Sequence, residues 1–173
     1  MGPMKNSRAW LGYAEAKFLL AMFGAFFLFG CQSALLNYQG GMVARDNQIP
    51  ILEAGEHSGT WMARDLAVDY KYLREGDQLK ISGKVRYEDL IKYNFLLIKY
   101  FHLDGILVDS HGNVLEIRGL TSDMQSKSED PVPFSTVVKL PPGTVAMAFS
   151  YRGKAEDAGH DGSSTYFWKY PIY

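Results

Sequence analysis

The chain has 173 residues, a net charge of −1 and a single cysteine, and 47% of its residues are hydrophobic. That length gives room for one domain with a substantial core. The near-neutral charge argues against a nucleic-acid-binding protein, which would carry a basic face. One cysteine leaves no disulfide within the chain, so the fold must depend on the burial of apolar side chains.

A basic segment followed by an apolar one opens the sequence. Three basic residues precede the apolar run 18–30, which ends directly at Cys31. A basic region, an apolar region and a small residue, in that order, are typical of a secretory signal peptide. The stretch Leu28-Phe29-Gly30-Cys31 resembles the lipobox of bacterial lipoproteins.

This resemblance implies that residues 1–30 are a signal peptide. It also implies that Cys31 becomes the N-terminus and carries a diacylglycerol and an acyl chain such as palmitate on its amine. Two or more acyl chains anchor a protein stably in a membrane. Gln32 stands where an aspartate would resemble an inner-membrane retention signal, so the outer membrane is expected if the cell is diderm. The mature chain keeps 15 basic and 18 acidic residues, because the segment removed contains Lys5, Arg8, Lys17 and Glu15.

Two other interpretations of Cys31 and its segment stay open. Residues 18–36 are 19 residues long, close to the ~20 that a spanning helix needs. The segment would then remain uncleaved in the membrane. Alternatively Cys31 is a buried cysteine of the domain, although a position directly after an apolar run suits a core poorly.

Residues 31–50 show no sustained periodicity and contain Gly40, Gly41 and Pro50. Glycine and proline break regular structure. The sequence therefore predicts a flexible tether over residues 31–50 and a folded domain over residues 51–173. The alternative is that Met42 and Val43 pack on the domain.

Alternation of apolar and polar residues dominates the domain and predicts half-buried strands. Seven or eight short strands with regular turn signals predict an all-β fold, a single antiparallel β-sandwich, after the N-terminal signal helix. A short helix is expected near residues 88–93, and polar loops over 121–133 and 152–164. The predicted core comprises Leu66, Val68, Leu79, Ile81, Val85, Leu97, Val138, Val145, Met147 and Phe149.

The sequence LPPGTVAMAFSY at residues 140–151 resembles the corner before strand F of immunoglobulin-like and fibronectin-like domains. An immunoglobulin-like sandwich is expected on this basis, with a jelly roll or a small barrel as alternatives. Val145 stands where the corner tyrosine of that family would be, and the paired cysteines are missing.

The segment 156–164 is the first candidate site. It holds Glu156, Asp157, His160 and Asp161 among glycines and serines. Such oxygen-rich loops can bind calcium, although the spacing is not that of an EF-hand. A solvated turn explains the same composition.

Aromatic residues form the second candidate site. Tyr166, Trp168 and Tyr170 occupy every second position near the C-terminus. Trp61, distant from them in the sequence, is the fourth residue of this candidate site. Aromatic side chains are enriched in binding hot spots, and they also dominate β-sheet cores and edges.

The sequence favours a lipid-anchored cell-envelope lipoprotein that acts as a non-enzymatic binding or assembly module. Its expected partners are the membrane, through the lipid on Cys31, and another envelope protein or a glycan. No cofactor and no nucleic acid are expected. The alternatives are an envelope hydrolase and a calcium-stabilised adhesin-like module, each using the 156–164 loop.

Overall fold

The computed structural model describes residues 40–157 and 162–173. The predicted signal peptide, Cys31 and residues 32–39 lie outside the described residues, as do His160 and Asp161. No helix in the two described ranges is long and apolar enough to cross a membrane.

Strands account for most of the described chain, as the period-two alternation predicts. Within the described ranges there are nine: β1 (Ile49–Pro50), β2 (Glu56–Met62), β3 (Leu66–Glu75), β4 (Gln78–Tyr87), β5 (Leu97–Val108), β6 (Val114–Lys127), β7 (Val132–Lys139), β8 (Ala146–Glu156) and β9 (Ser164–Lys169). A 3₁₀ turn, Arg45–Asn47, precedes β1, and a one-turn helix α1, Asp89–Lys92, follows β4. The helix lies inside the segment 88–93 where the sequence predicts one, and Ile91 anchors it in the core.

The strands form two antiparallel sheets packed as a sandwich, which confirms the predicted fold class. One sheet has the order β2-β3-β4-β7. The other has the order β1-β8-β5-β6, with β9 pairing the second half of β8 on the same side as β1. In the four-stranded sheet, three strands that follow one another in the chain, β2, β3 and β4, are neighbours. The corresponding sheet of immunoglobulin domains has the order A-B-E-D, in which they are not. The likeness to that family is therefore limited to the sandwich architecture.

The main core lies between the two sheets and is rich in aromatic side chains. Phe101, Phe149 and Tyr151 are fully buried there, and Phe167 packs on them from β9. Most of the predicted core residues belong to this cluster. Leu97 is only half-buried at the start of β5.

Val145 is the predicted core residue that the structure places outside the core, with 43% of its surface exposed. It lies just before β8 in the connection from β7. There its N–H donates to the Val108 carbonyl, while its own carbonyl accepts from the N–H of Ile51. The alternation that holds for Met147 and Phe149 does not extend into this connection, where the backbone has not yet adopted the strand pleat.

A second, smaller apolar cluster covers one end of the outer face of the five-stranded sheet. Val43 packs there with Ile106, Val108 and Ala148. Met42 bridges Asn113, and β1 pairs with β8 at Met147 and Ala146. Residues 42–50 therefore belong to the folded domain, and the predicted boundary at residue 51 is too late.

Two predicted loops are shorter than the sequence suggested. Strand β6 continues to Lys127, through a segment predicted as loop, and β8 continues to Glu156. Both extensions are rich in polar residues. On β6, which lies at the sheet edge, exposed side chains give the strand the composition of a loop, so alternation alone does not reveal it. The end of β8 is identified as strand only by its pairing with β5 and β9.

Candidate functional site

The 156–164 segment is only partly a loop. Glu156 is the last residue of β8, and its carboxylate accepts from Lys154 Nζ at 2.6 Å and lies 3.7 Å from Lys99 Nζ. The hydrogen bond from Lys154 holds the pKa of Glu156 below its ordinary value, with a smaller contribution from Lys99. This carboxylate is therefore neutralised by two lysines rather than directed at a cation.

The remaining candidate residues of that segment are not brought together in the described structure. The Asp157 N–H donates to the Ser163 carbonyl at 2.9 Å, which closes the base of the connection. His160 and Asp161 lie outside the described residues. Within the two described ranges, no group of three or more histidine, cysteine, aspartate or glutamate side chains could hold a metal ion.

The aromatic residues of β9 alternate across the sheet as the sequence predicts. Phe167 points into the core, whereas Tyr166 and Trp168 point out and expose 60% and 59% of their surfaces. Tyr170, after the strand, is half-buried and hydrogen-bonds the Arg152 side chain, which raises the pKa of that guanidinium. The structure thus brings Tyr166 and Trp168 together on one exposed face.

Trp61 has a different place from the other three candidate aromatics. Its ring packs 5.6 Å from the Phe149 ring and 6.1 Å from the Tyr151 ring, measured between centroids. The Lys169 Nζ lies 5.2 Å from the centre of its ring, within cation–π range. Trp61 is half-buried at the edge of the main core, and Lys169 connects it to β9.

A groove of about 690 Å³ runs along β9. The strand contributes five consecutive residues, 165–169, to its lining, and the opposite wall includes Leu90 of α1 and Phe95. Successive strand residues point to opposite faces of a sheet. A groove lined by all five must therefore follow the edge of the strand rather than either face. We refer to this feature as the β9 groove.

The walls and floor of the β9 groove are fixed by buried hydrogen bonds. The Tyr151 hydroxyl donates to Asp65 Oδ2 at 2.7 Å, across 86 residues of sequence, and both side chains line the groove. Burial, together with this bond to Asp65, raises the pKa of the Tyr151 hydroxyl. On the other wall, the buried Ser128 hydroxyl donates to the Phe95 carbonyl and secures the segment after α1.

Two cations at the β9 groove have no carboxylate partner among the described residues. Arg64 and Lys169 both line it, and neither forms an ion pair with a described residue. Asp65, the acidic residue among the described lining residues, is buried and accepts a hydrogen bond from Tyr151. Two cations against one carboxylate give the described lining a net formal charge of +1. Sequence reasoning predicted the helix α1 but did not place it, or Arg64, beside β9, because both reach β9 only through the tertiary fold.

The outer face of the sheet beside β9 carries a row of polar residues. His102 and Asp104 of β5 pair across the sheet with Arg152 and Ser150 of β8. Burial raises the pKa of the Asp104 carboxyl, and the charges of Arg152 and His102 partly oppose this. A carboxyl with a raised pKa binds its proton more tightly in the folded state than in the unfolded state.

Asp104 should make stability fall as the pH rises. Its pKa in the folded state lies above the ordinary value of an aspartate. The free energy of unfolding should therefore decrease as the pH rises from that ordinary value to the raised pKa. We expect Asp104→Asn to remove this decrease, in urea unfolding at about pH 4 and about pH 7. Asp109→Asn is the matched control. Hydrogen bonds from Asn113 lower the pKa of Asp109, so this carboxylate makes stability increase with pH. Asp109→Asn should remove that increase, which is the opposite of the effect expected for Asp104→Asn. Parallel pH profiles for wild type and Asp104→Asn would contradict the assignment.

Comparisons of the chain with protein-family models, with curated proteins and with solved structures found no match.

Proposed function

We propose that this protein is a lipid-anchored lipoprotein of the cell envelope whose β-sandwich is a non-enzymatic binding module. The lipobox-like stretch ending at Cys31 supports the anchor. The observation that carries the binding role is the pair Tyr166 and Trp168, largely exposed on an edge strand beside the β9 groove. Large aromatic side chains with free faces next to a concave surface are the residues most often found in binding hot spots.

The anchor would hold the domain close to the lipid surface. Gly40, the first described residue, is nine residues after Cys31, so the connection spans at most ~32 Å. If the cell is diderm, Gln32 after Cys31 favours the outer membrane. A binding module held this close to a membrane serves to keep a second component of the envelope near that surface. Another envelope protein and a glycan are the two classes of partner that its aromatic surface fits.

Site-specific photo-crosslinking in intact cells tests the binding role. We expect Trp168→benzoylphenylalanine to give a discrete crosslinked product. Val137→benzoylphenylalanine on β7 is the matched control, because Val137 is 56% exposed, nearly as much as Trp168, but lies on the other sheet. Equal labelling from the two positions, or none from Trp168, would argue against a partner surface at β9.

A further inference from the structure

We infer that the β9 groove binds an extended acidic peptide segment of a partner protein, which adds to β9 as a further strand. This inference rests on the proposed function, since it names the partner of the same surface. It is carried by three features: a strand edge that pairs with no other described strand, apolar walls beside that edge, and a net positive charge in the described lining.

The free edge of β9 supplies the main-chain groups. Among the described strands, β9 pairs only with β8. In antiparallel pairing, alternate residues direct their N–H and C=O groups to the neighbour, and the others direct theirs away from it. Those outward groups of β9 lie along the groove, where an added strand could bond to them.

This edge lacks two of the devices that usually protect one. Strand β9 contains no proline, and the β8–β9 register has no bulge. Its single charged residue, Lys169, is the last of the strand, so the five preceding residues, Ser-Thr-Tyr-Phe-Trp, carry no charge. On the opposite side of the sandwich, the edge strands β6 and β7 contact each other. Exposed apolar edges invite pairing with another chain, and proteins commonly block them with charges, prolines or bulges. An edge kept open next to a formed groove suits a strand-accepting site.

The walls of the groove define the side chains of the ligand. Leu90 is exposed, Phe95 is half-buried, and both face β9 across the groove. In an added strand, every second side chain would point toward this wall. Aliphatic residues at alternate positions of the peptide would bury there against apolar carbon.

The charges of the groove define the rest of the ligand. Arg64 and Lys169 form no ion pair with a described residue, and together they outnumber Asp65, whose carboxylate is buried and accepts from Tyr151. An acidic residue in the bound strand would satisfy them, and a basic one would be repelled. The complementary ligand is a strand that combines aliphatic and acidic residues.

Peptide selection on the protein extracted from membranes tests the inference. The probe is a displayed library of random dodecapeptides, and the detergent-solubilised protein is the bait. We expect enriched peptides to share a short run of aliphatic and acidic residues. A synthetic peptide with the enriched sequence should bind, and its backbone N-methylated form should bind about tenfold more weakly or worse, because it lacks the N–H donors of a strand.

Variants of the protein distinguish an effect of the groove's positive charge on binding from an effect on folding. Arg64→Glu combined with Lys169→Glu should weaken binding about tenfold or more. Lys139→Glu, an exposed lysine on β7, should leave it unchanged. Unchanged thermal unfolding of each variant establishes that the fold is intact, and if the double variant unfolds, Arg64→Gln serves in its place.

Three results would overturn the inference. They are selection of no common peptide, binding that is indifferent to N-methylation, and binding of arrayed glycans in place of peptides. Self-association through β9 that the double variant abolishes would instead assign the edge to a second copy of the chain. A crosslink at Trp168 without peptide binding would leave the proposed binding function intact and overturn only the peptide.

Discussion

Replacing Phe149 with alanine should lower the free energy of unfolding by about 3–5 kcal/mol. Phe149 is fully buried in β8, and its ring centre lies 5.5 Å from that of Tyr70 and 5.6 Å from that of Trp61. Those partners belong to the opposite sheet, so the truncation opens a cavity between the two sheets where neighbouring side chains can relax only in part. Equilibrium unfolding in urea, read by tryptophan fluorescence and by circular dichroism, measures the loss.

Val137→Ala is the control for Phe149→Ala. Val137 lies on the outer side of β7 with 56% of its surface exposed, so its truncation should change stability by about 0.5 kcal/mol or less. A loss below about 1 kcal/mol for Phe149→Ala would mean that the two sheets do not meet at this residue.

Gly83→Ala should destabilise the protein by about 3 kcal/mol or more, an unusually large effect for one methyl group. A Cβ atom at residue 83 would stand 2.0 Å from the backbone carbonyl oxygen of Asp69 on β3 and 2.9 Å from the Phe134 ring on β7. The ring can shift, but the carbonyl oxygen belongs to the paired strand and cannot move without disturbing the β3–β4 ladder. A glycine in the middle of a strand often marks a bulge or a close backbone approach, and at Gly83 the structure shows the close approach.

Gly119→Ala is the matched control for Gly83→Ala. Gly119 is also a strand glycine, but the nearest atom to its Cβ would be Asp104 Oδ1 at 3.7 Å, an ordinary contact. Its replacement should be close to neutral, because the entropy lost by the unfolded chain opposes any small strain. Equal unfolding midpoints for the two alanine variants would show that β3 and β4 do not approach as closely as described.

The alternation of side chains predicts the fold class well because each face of a strand meets one environment. Leu79, Ile81 and Val85 alternate with exposed or half-buried residues along β4, and all three lie in the main core. The rule fails on β8, where Ala146 and Ala148 are buried on the second face by residues from the N-terminal segment. A segment such as residues 42–50, which has no period of its own, can be assigned to the domain only once its partners are known.

The candidate site could be predicted only in part. The alternation of Tyr166, Phe167 and Trp168 places two aromatics outside and one inside from sequence alone. The groove beside them depends on contacts between distant parts of the chain, such as the bond between Asp65 and Tyr151. At Glu156 the tertiary fold removes a predicted site. The acidic neighbours of Glu156 in the sequence predict a cation site, but the carboxylate pairs with Lys154 and with Lys99, which is distant in the sequence.

The proposed anchor and the proposed binding surface fit one arrangement. A lipid on Cys31 and the short connection to Gly40 would hold one end of the sandwich at the membrane. The β9 groove lies along an edge strand of the five-stranded sheet. A partner that carries an acidic strand would then be retained near the membrane.

The intact mass of the protein extracted from membranes tests the account's central claim, lipid anchoring through Cys31, most directly. We expect the mass of residues 31–173 plus a diacylglyceryl group and an amide-linked acyl chain. Cys31→Ala should give an unlipidated precursor of unaltered length. Wild-type protein with the mass of all 173 residues and no lipid would contradict the claim and would support an uncleaved membrane segment instead.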